Sequence, residues 1–317
     1  MLALLFPGQA SQAVGMGIDL RGANRRAAEL FDLADQITGL EISRICAEGP
    51  LERLTRTDVA QPAVVAHSLA ALAVLEAEIG AGWQLAAVAG HSVGELAAYV
   101  AGGALDAASA LRVVHVRAQA MAEACRQVDG GMVAVMGLDE QNVRRVCQSV
   151  TAEGDGTVEL ANINAPGQLV ISGQKSALQR ASDQVKSAGA RRVIPLNVGG
   201  PFHSVYMRPA TEALEHALAE IQLQPAKVPI VANATAEVIT HPEALERELA
   251  VQVASPVRWT ESLHRLAELG CDRFLEVGPG QVLAGLAKRT LPDACVASFG
   301  GLGDVPAARS LLLDPAS

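Results

Sequence analysis

Short continuous apolar runs alternate along the chain with longer segments in which apolar residues recur every three or four positions. Runs over 2–6, 85–89, 228–232 and 273–277 predict strands, and the first, wholly apolar, predicts one covered on both sides, as in a parallel sheet. The longer segments predict helices over about 20–37, 60–79, 106–125, 204–221, 242–254, 257–269 and 281–289. Strands and helices taking turns in this way define an α/β class. The stretch 60–79 is so rich in alanine and leucine that it predicts a buried helix, and His67 and Glu76 break it short of an uncharged membrane-spanning run.

Between residues 126 and 196 the rhythm changes. Strands over 132–136, 158–163, 169–172 and 192–196 enclose helices over 139–150, with Asp139 near its N-cap, and 175–188. The order β-α-β-β-α-β is the ferredoxin-like or split βαβ arrangement. A small domain at 126–196, inserted into a larger α/β domain made of 1–125 and 197–317, is therefore expected. The Gly- and Pro-containing tail from Gly300 is expected to be loose.

Composition narrows the classes. With 317 residues, half of them hydrophobic, the chain can bury one large core or two. A formal net charge of −9 argues against general nucleic-acid binding. Cys46, Cys125, Cys147, Cys271 and Cys295 are scattered without a CxxC, which points to a reduced, cytoplasmic setting with cysteines used as packing. Met1–Phe6 lacks a basic flank and stops at Pro7, so it reads as a first strand and not as a signal peptide. No metal-ligand cluster and no bound cofactor are expected. Gly278-Pro279-Gly280 lacks the Lys and Ser/Thr of a phosphate loop.

The most informative stretch is Val88-Ala89-Gly90-His91-Ser92-Val93-Gly94-Glu95-Leu96. Gly-x-Ser-x-Gly alone is weak. Between an apolar strand and a helix it predicts a sharp turn that lifts Ser92 clear of the backbone near a helix N-terminus. The N–H of Val93 then points to where an oxyanion would form. A serine hydroxyl needs a base within hydrogen-bond reach. His67, His115, His216 and His264 lie inside helical patterns, and His241 precedes Pro242 at a helix start. His91 is adjacent to Ser92 and should point away from it. His203, in a loop after a strand and just before a helix, is the best-placed base. Asp272, Glu276 and Asp293 are possible orienting acids, none of them compelling, and a backbone carbonyl would serve as well.

Phe6-Pro7-Gly8-Gln9, Gly90-His91-Ser92-Val93-Gly94-Glu95, Arg117, Phe202-His203-Ser204 and Glu276-Val277-Gly278-Pro279-Gly280 together resemble the malonyl-CoA:acyl carrier protein transacylases, in the family's order and over nearly the whole chain. Asn162-Ile163-Asn164-Ala165-Pro166-Gly167-Gln168 and Ser255-Pro256-Val257-Arg258-Trp259 also fit. The resemblance implies an α/β-hydrolase-like large domain beside the ferredoxin-like one. It further implies a ping-pong transfer from malonyl-CoA through malonyl-Ser92 to the phosphopantetheine thiol of acyl carrier protein. His203 would be the base, with its Nδ1 held by the backbone carbonyl of Gln252, and the N–H groups of Gln9 and Val93 would form the oxyanion hole.

Malonyl differs from acetyl by a carboxylate, which a guanidinium grips with two parallel hydrogen bonds. By itself Arg117 would read as a helix-surface arginine; the resemblance makes it the carboxylate anchor. Phe202 before the histidine is similar to the malonyl-selective members, whereas Pro201 departs from the commoner small residue. Met121, Phe202, His91 and Asn162 are expected around the substrate. Acyl carrier protein is acidic, as is this chain, so docking needs a local basic patch, for which Arg191, Arg192, Lys288 and Arg289 are candidates. A monomer binding neither nucleic acid nor membrane is expected. The pocket residues do not separate fatty-acid synthesis from service to a polyketide synthase or a malonate decarboxylase. A serine thioester hydrolase is the competing class, and a non-catalytic scaffold fits poorly with an intact Ser92, His203 and Arg117.

Overall fold

The computed structural model describes residues 1–80 and 83–313. Its strands are β1 (Leu2–Phe6), β2 (Leu85–Gly90), β3 (Gly130–Met136), β4 (Val158–Ala165), β5 (Gln168–Gln174), β6 (Arg192–Pro195), β7 (Ile230–Val231), β8 (Val238–Ile239), β9 (Arg273–Val277) and β10 (Cys295–Phe299). They form two sheets. The larger has the order β10-β9-β1-β2-β7-β8, parallel as far as β7, with β8 antiparallel at the edge. The smaller has the order β4-β5-β3-β6 and is antiparallel throughout.

β1 lies between β2 and β9, and its five residues are all buried. Side chains alternate across a strand. Leu2, Leu4 and Phe6 enter one hydrophobic cluster while Ala3 and Leu5 enter another on the opposite face, which is why the run has no polar position. In the smaller sheet Val133 and Val135 pack into a third cluster with Val143, Cys147 and Val150 of the helix Glu140–Ala152 and Ala177, Ala181 and Val185 of the helix Lys175–Ser187. From its other face Met132, Ala161 and Val170 join the main core. Asp139 caps its helix as expected, accepting from the N–H of Asn142.

Several predicted elements are redrawn. The helix expected over 20–37 is two helices, Ile18–Ala23 and Arg25–Thr38. Asn24 between them is extended, and its side chain accepts from the N–H of Ala27. The segment 204–221 begins with a 3₁₀ turn, Val205–Met207, before the helix Arg208–Ala219. The short helices Ile42–Glu48 and Leu51–Leu54 and the strand β8 are too brief to show a periodicity, and β10 is an edge strand that is only partly buried. The tail is not loose. β10 extends the sheet, and the Asp304 carboxylate accepts from the N–H groups of Gly300 and Gly301. The helix Val305–Leu313 then packs back through Ala308 and Leu312, and residues 314–317 lie outside the described part. The helix Thr57–Ile79 is long and apolar enough to cross a membrane by length and composition, but nearly all of it from Thr57 to Leu75 is buried inside the fold.

The chain leaves β1 toward β2 on one side and later fills the other side with β9. The crevice at the carboxyl ends of these strands is where an open α/β sheet presents ligand-binding loops. The loop after β2 is especially constrained. A Cβ on Gly94 would lie 2.2 Å from the carbonyl oxygen of Phe6, and one on Gly90 would lie 2.1 Å from the carbonyl carbon of Gly94. Both neighbours are backbone and cannot turn aside. Gly94→Ala is therefore expected to lower stability by about 3 kcal/mol or more, read as a drop in the denaturant midpoint, and to slow acylation of Ser92. An unchanged midpoint would show that the turn has slack.

Candidate active site

Ser92 follows β2 at the apex of that turn, with φ at 52°, in the left-handed region that a side chain normally avoids. His203 has φ at 55°. Such residues cost on the order of 1–3 kcal/mol each and persist only where the surroundings over-determine them. Around Ser92 they do. Its N–H donates to Asn233 Oδ1 at 2.7 Å, Asn233 Nδ2 donates to the Gly90 carbonyl at 2.6 Å, and Gln252 Nε2 donates to the Ser92 carbonyl at 3.0 Å. The loop carrying His203 is closed by Ser204 Oγ donating to the Pro201 carbonyl at 2.5 Å.

His203 Nε2 lies 2.7 Å from Ser92 Oγ. Its Nδ1 faces two carbonyl oxygens, Gln252 at 3.1 Å and Ser255 at 3.0 Å. Two acceptors on that side require the proton on Nδ1 and leave the Nε2 lone pair toward the serine. Arg117 Nη2 donates to the same Oγ at 3.0 Å, so the serine hydrogen points to the histidine. The carbonyls take the place of an acid. Asp272 pairs with the amino group of Met1, Glu276 accepts from the N–H of Ala284, and Asp293 is exposed. Burial, then the positive charge of Arg117 and then His91, push His203 down to about 3, so the ring is neutral at physiological pH.

Arg117 projects from the helix Ala107–Arg126 and is 3 % exposed. Its guanidinium donates to Gln61 Oε1 at 2.6 Å, Gln252 Oε1 at 2.7 Å and Ser92 Oγ. Those bonds use three of its five N–H groups. No carboxylate lies within ion-pairing distance of it among the described residues. Burial lowers it to about 10, which still leaves it charged at neutral pH. A buried cation with neutral partners and open donors is built to receive an anion. Behind it, Glu95 accepts from Gln252 Nε2 at 2.5 Å and from the Asn233 N–H at 3.1 Å; burial and the nearby Glu248 hold its carboxyl well above the usual range.

These groups open onto a cleft of about 300 Å³ between the two sheets. Gln9, His91, Ser92, Val93, Arg117, Met121, Asn162, Phe202 and His203 all line it, and Gln252 stands behind. His91 points away from Ser92 as expected, with its Nε2 2.9 Å from Asn164 Oδ1, yet it remains part of the wall. Arg191, Arg192, Lys288 and Arg289 lie outside. Arg192 is paired in register with Met136, Met136 with Gln168, and Arg289 donates to Gln168 Oε1 at 3.0 Å. Since Gln168 lines the cleft, the two basic pairs approach one rim. Sequence reasoning missed Gln61, Asn233, Glu95 and the Ser255 carbonyl. Glu95 and Ser255 lie in stretches that carry the family resemblance but were given no role there, and Gln61 left a signal of its own, an amide in a helix otherwise almost wholly apolar. Among the described residues no group of His, Cys, Asp and Glu is arranged to hold a metal ion.

A nucleophile elbow, a carbonyl-oriented histidine and a buried anion receptor define an acyl-transferring serine enzyme, and the chain belongs to the acyl transferase family, whose domain matches residues 3–305. The particular relatives are malonyl-CoA–acyl carrier protein transacylases. That of Bacillus subtilis (strain 168) is 43% identical over 288 residues, covering 91% of this chain and 90% of the relative. The solved transacylase from Coxiella burnetii superposes with a TM-score of 0.93 at 32% identity, covering 98% and 97% of the two chains. A malonyl-transacylase solved in complex with its type II polyketide acyl carrier protein superposes with a TM-score of 0.92 at 36% identity, covering 98% and 99%.

The neutral His203 has a consequence for pH. Its folded pKa lies below the usual 6.5, so the ring takes up a proton only as pH approaches about 3. The rate of Ser92 acylation is expected to show no break near pH 6.5 between pH 8 and pH 5, measured by rapid quench. Folding stability, in contrast, falls as pH drops from 6.5 toward 3, because the unfolded chain takes up the proton first. An acylation limb at pH 6.5 would show that the ring is not held neutral.

Proposed function

We propose that the protein transfers a malonyl group from malonyl-CoA to the phosphopantetheine thiol of an acyl carrier protein in fatty acid biosynthesis, by way of malonyl-Ser92. The observation that carries this reading is Arg117, a buried cation without a carboxylate partner, hydrogen-bonded to the oxygen that becomes acylated.

In this reading Ser92 Oγ attacks the thioester carbonyl while its proton passes to His203 Nε2. The carbonyl oxygen becomes an oxyanion facing the N–H groups of Gln9 and Val93. Collapse breaks the C–S bond, and coenzyme A leaves with the proton returned from the imidazolium. The pantetheine thiol then gives its proton to His203 and attacks the ester. Ser92 departs as the leaving group and takes the proton back. Arg117 binds the malonyl carboxylate with its open N–H groups, while Met121, Phe202, His91 and Asn162 shape the space around the acyl chain. Gln252 orients both His203 and Arg117.

The architecture belongs to the proposal too. The parallel sheet with its serine turn supports an α/β-hydrolase-like domain of 1–125 and 197–317. The β-α-β-β-α-β order and a separate hydrophobic cluster support a ferredoxin-like domain of 126–196. Free, mostly buried cysteines suit the cytoplasmic setting of this pathway.

The test is intact-protein mass after mixing with malonyl-CoA. The parent is expected to gain one malonyl group that persists in buffer and moves to added phosphopantetheinylated carrier, and Ser92→Ala is expected to gain none. An adduct that decays to malonate at the same rate with or without carrier would instead define a hydrolase. A related malonyl-transacylase is solved in complex with its acyl carrier protein, so a carrier-docking surface is expected here too. Reversing Arg191, Arg192, Lys288 and Arg289 to glutamate is expected to raise KM for the carrier severalfold and to leave KM for malonyl-CoA unchanged; equal effects on both would exclude a docking role.

A further inference from the structure

Gln61 is 1 % exposed near the N-terminal end of the apolar helix Thr57–Ile79, and its side chain faces the cleft beside Arg117, Met121 and Phe202. The two ends of its amide are treated unequally. Oε1 accepts a short, charge-assisted bond from Arg117 Nη1 at 2.6 Å. Nε2, which carries two N–H groups, meets only the Met121 thioether, at 3.5 Å. A thioether is a weak acceptor, and burying an amide without a good partner is unfavourable. The other side-chain amides behind the site are better satisfied. Asn233 Nδ2 has the Gly90 carbonyl, and Gln252 Nε2 has the Ser92 carbonyl and Glu95. The orientation of the Gln61 amide is also fixed, because turning it over would set its NH2 group against the guanidinium.

We infer that Gln61 is a specificity-determining residue whose amide N–H donates to the carboxylate of the bound acyl group, alongside the open N–H groups of Arg117. The inference rests on the malonyl reading above and deepens it. A malonyl carboxylate beside Arg117 offers the strong acceptor that Met121 does not, and an acetyl group offers none. Gln61 thus serves twice: its oxygen steers Arg117 and its nitrogen reads the same anion. Selectivity for a carboxylate-bearing acyl group is then shared between two helices, and Arg117 alone does not account for it.

The experiment measures kcat/KM for loading Ser92 from malonyl-CoA and from acetyl-CoA, in the parent, in Gln61→Met and in Gln61→Glu, with Arg117→Ala as reference. Gln61→Met keeps the length of the side chain and removes both polar ends. It is expected to lower malonyl loading tenfold or more, mainly through KM, while acetyl loading stays within threefold. Gln61→Glu keeps an oxygen for Arg117 but replaces the donor by an anion, and is expected to lower malonyl loading at least a hundredfold, again sparing acetyl. It also serves as the second variant should Gln61→Met fail to fold. A malonyl-to-acetyl ratio within threefold of the parent, or equal losses with both donors, would overturn the inference while leaving the proposed function intact. A parent without malonyl preference would overturn the proposed function and this inference with it.

Discussion

One side chain holds the chemistry in register. Gln252 sits on a 3₁₀ turn behind the cleft, and all its polar groups near the site are engaged. Its backbone oxygen sets the tautomer of His203. Its amide oxygen receives Arg117. Its amide nitrogen supports the carbonyl of Ser92 and the buried carboxyl of Glu95. His203, Arg117 and Ser92 therefore share one contact residue, with Ser255, Gln61 and Asn233 each adding a second hold on one of them. Buried networks of this kind are rigid only when fully satisfied. Here the amide has no competing orientation, since turning it over would face donor to donor at Arg117.

That rigidity explains how two left-handed backbone positions persist side by side. Ser92 and His203 each adopt a conformation that favours glycine, and each needs a side chain there. Asn233 compensates at the serine by bonding both ends of the turn, and Ser204 compensates at the histidine. Burial then acts on the charges. The imidazole stays neutral because charging it while buried beside Arg117 is unfavourable.

The legible parts of the sequence were those governed by periodicity or by local turn chemistry. β1 and β2 were evident because both of their faces are covered, and the serine turn because only glycine fits where Gly94 approaches Phe6. The break at Asn24 was hidden because its flanks continue the same helical rhythm, and only the cap interrupts it. Ser92, His203 and Arg117 come from elements far apart in sequence. Their convergence was legible through family resemblance, whereas Asn233, Glu95 and Ser255 act through long-range contacts that spacing does not encode. No acid stood out in the sequence, and in the structure two carbonyl oxygens face His203 Nδ1.

The central position of β1 also bears on how the molecule assembles during synthesis. One edge of β1 pairs with β2, but the other waits for β9, whose residue Arg273 aligns with Leu2. Pairing across such a separation closes a very long loop and is intrinsically slow. A nascent chain that has already made Ser92 and His203 still exposes one edge of its innermost strand, along with the apolar surface that β9 and its flanking helices will cover. Such a chain is open to mispairing until the last fifth of the sequence arrives. It also lacks the β9 side of the crevice at the carboxyl end of β1.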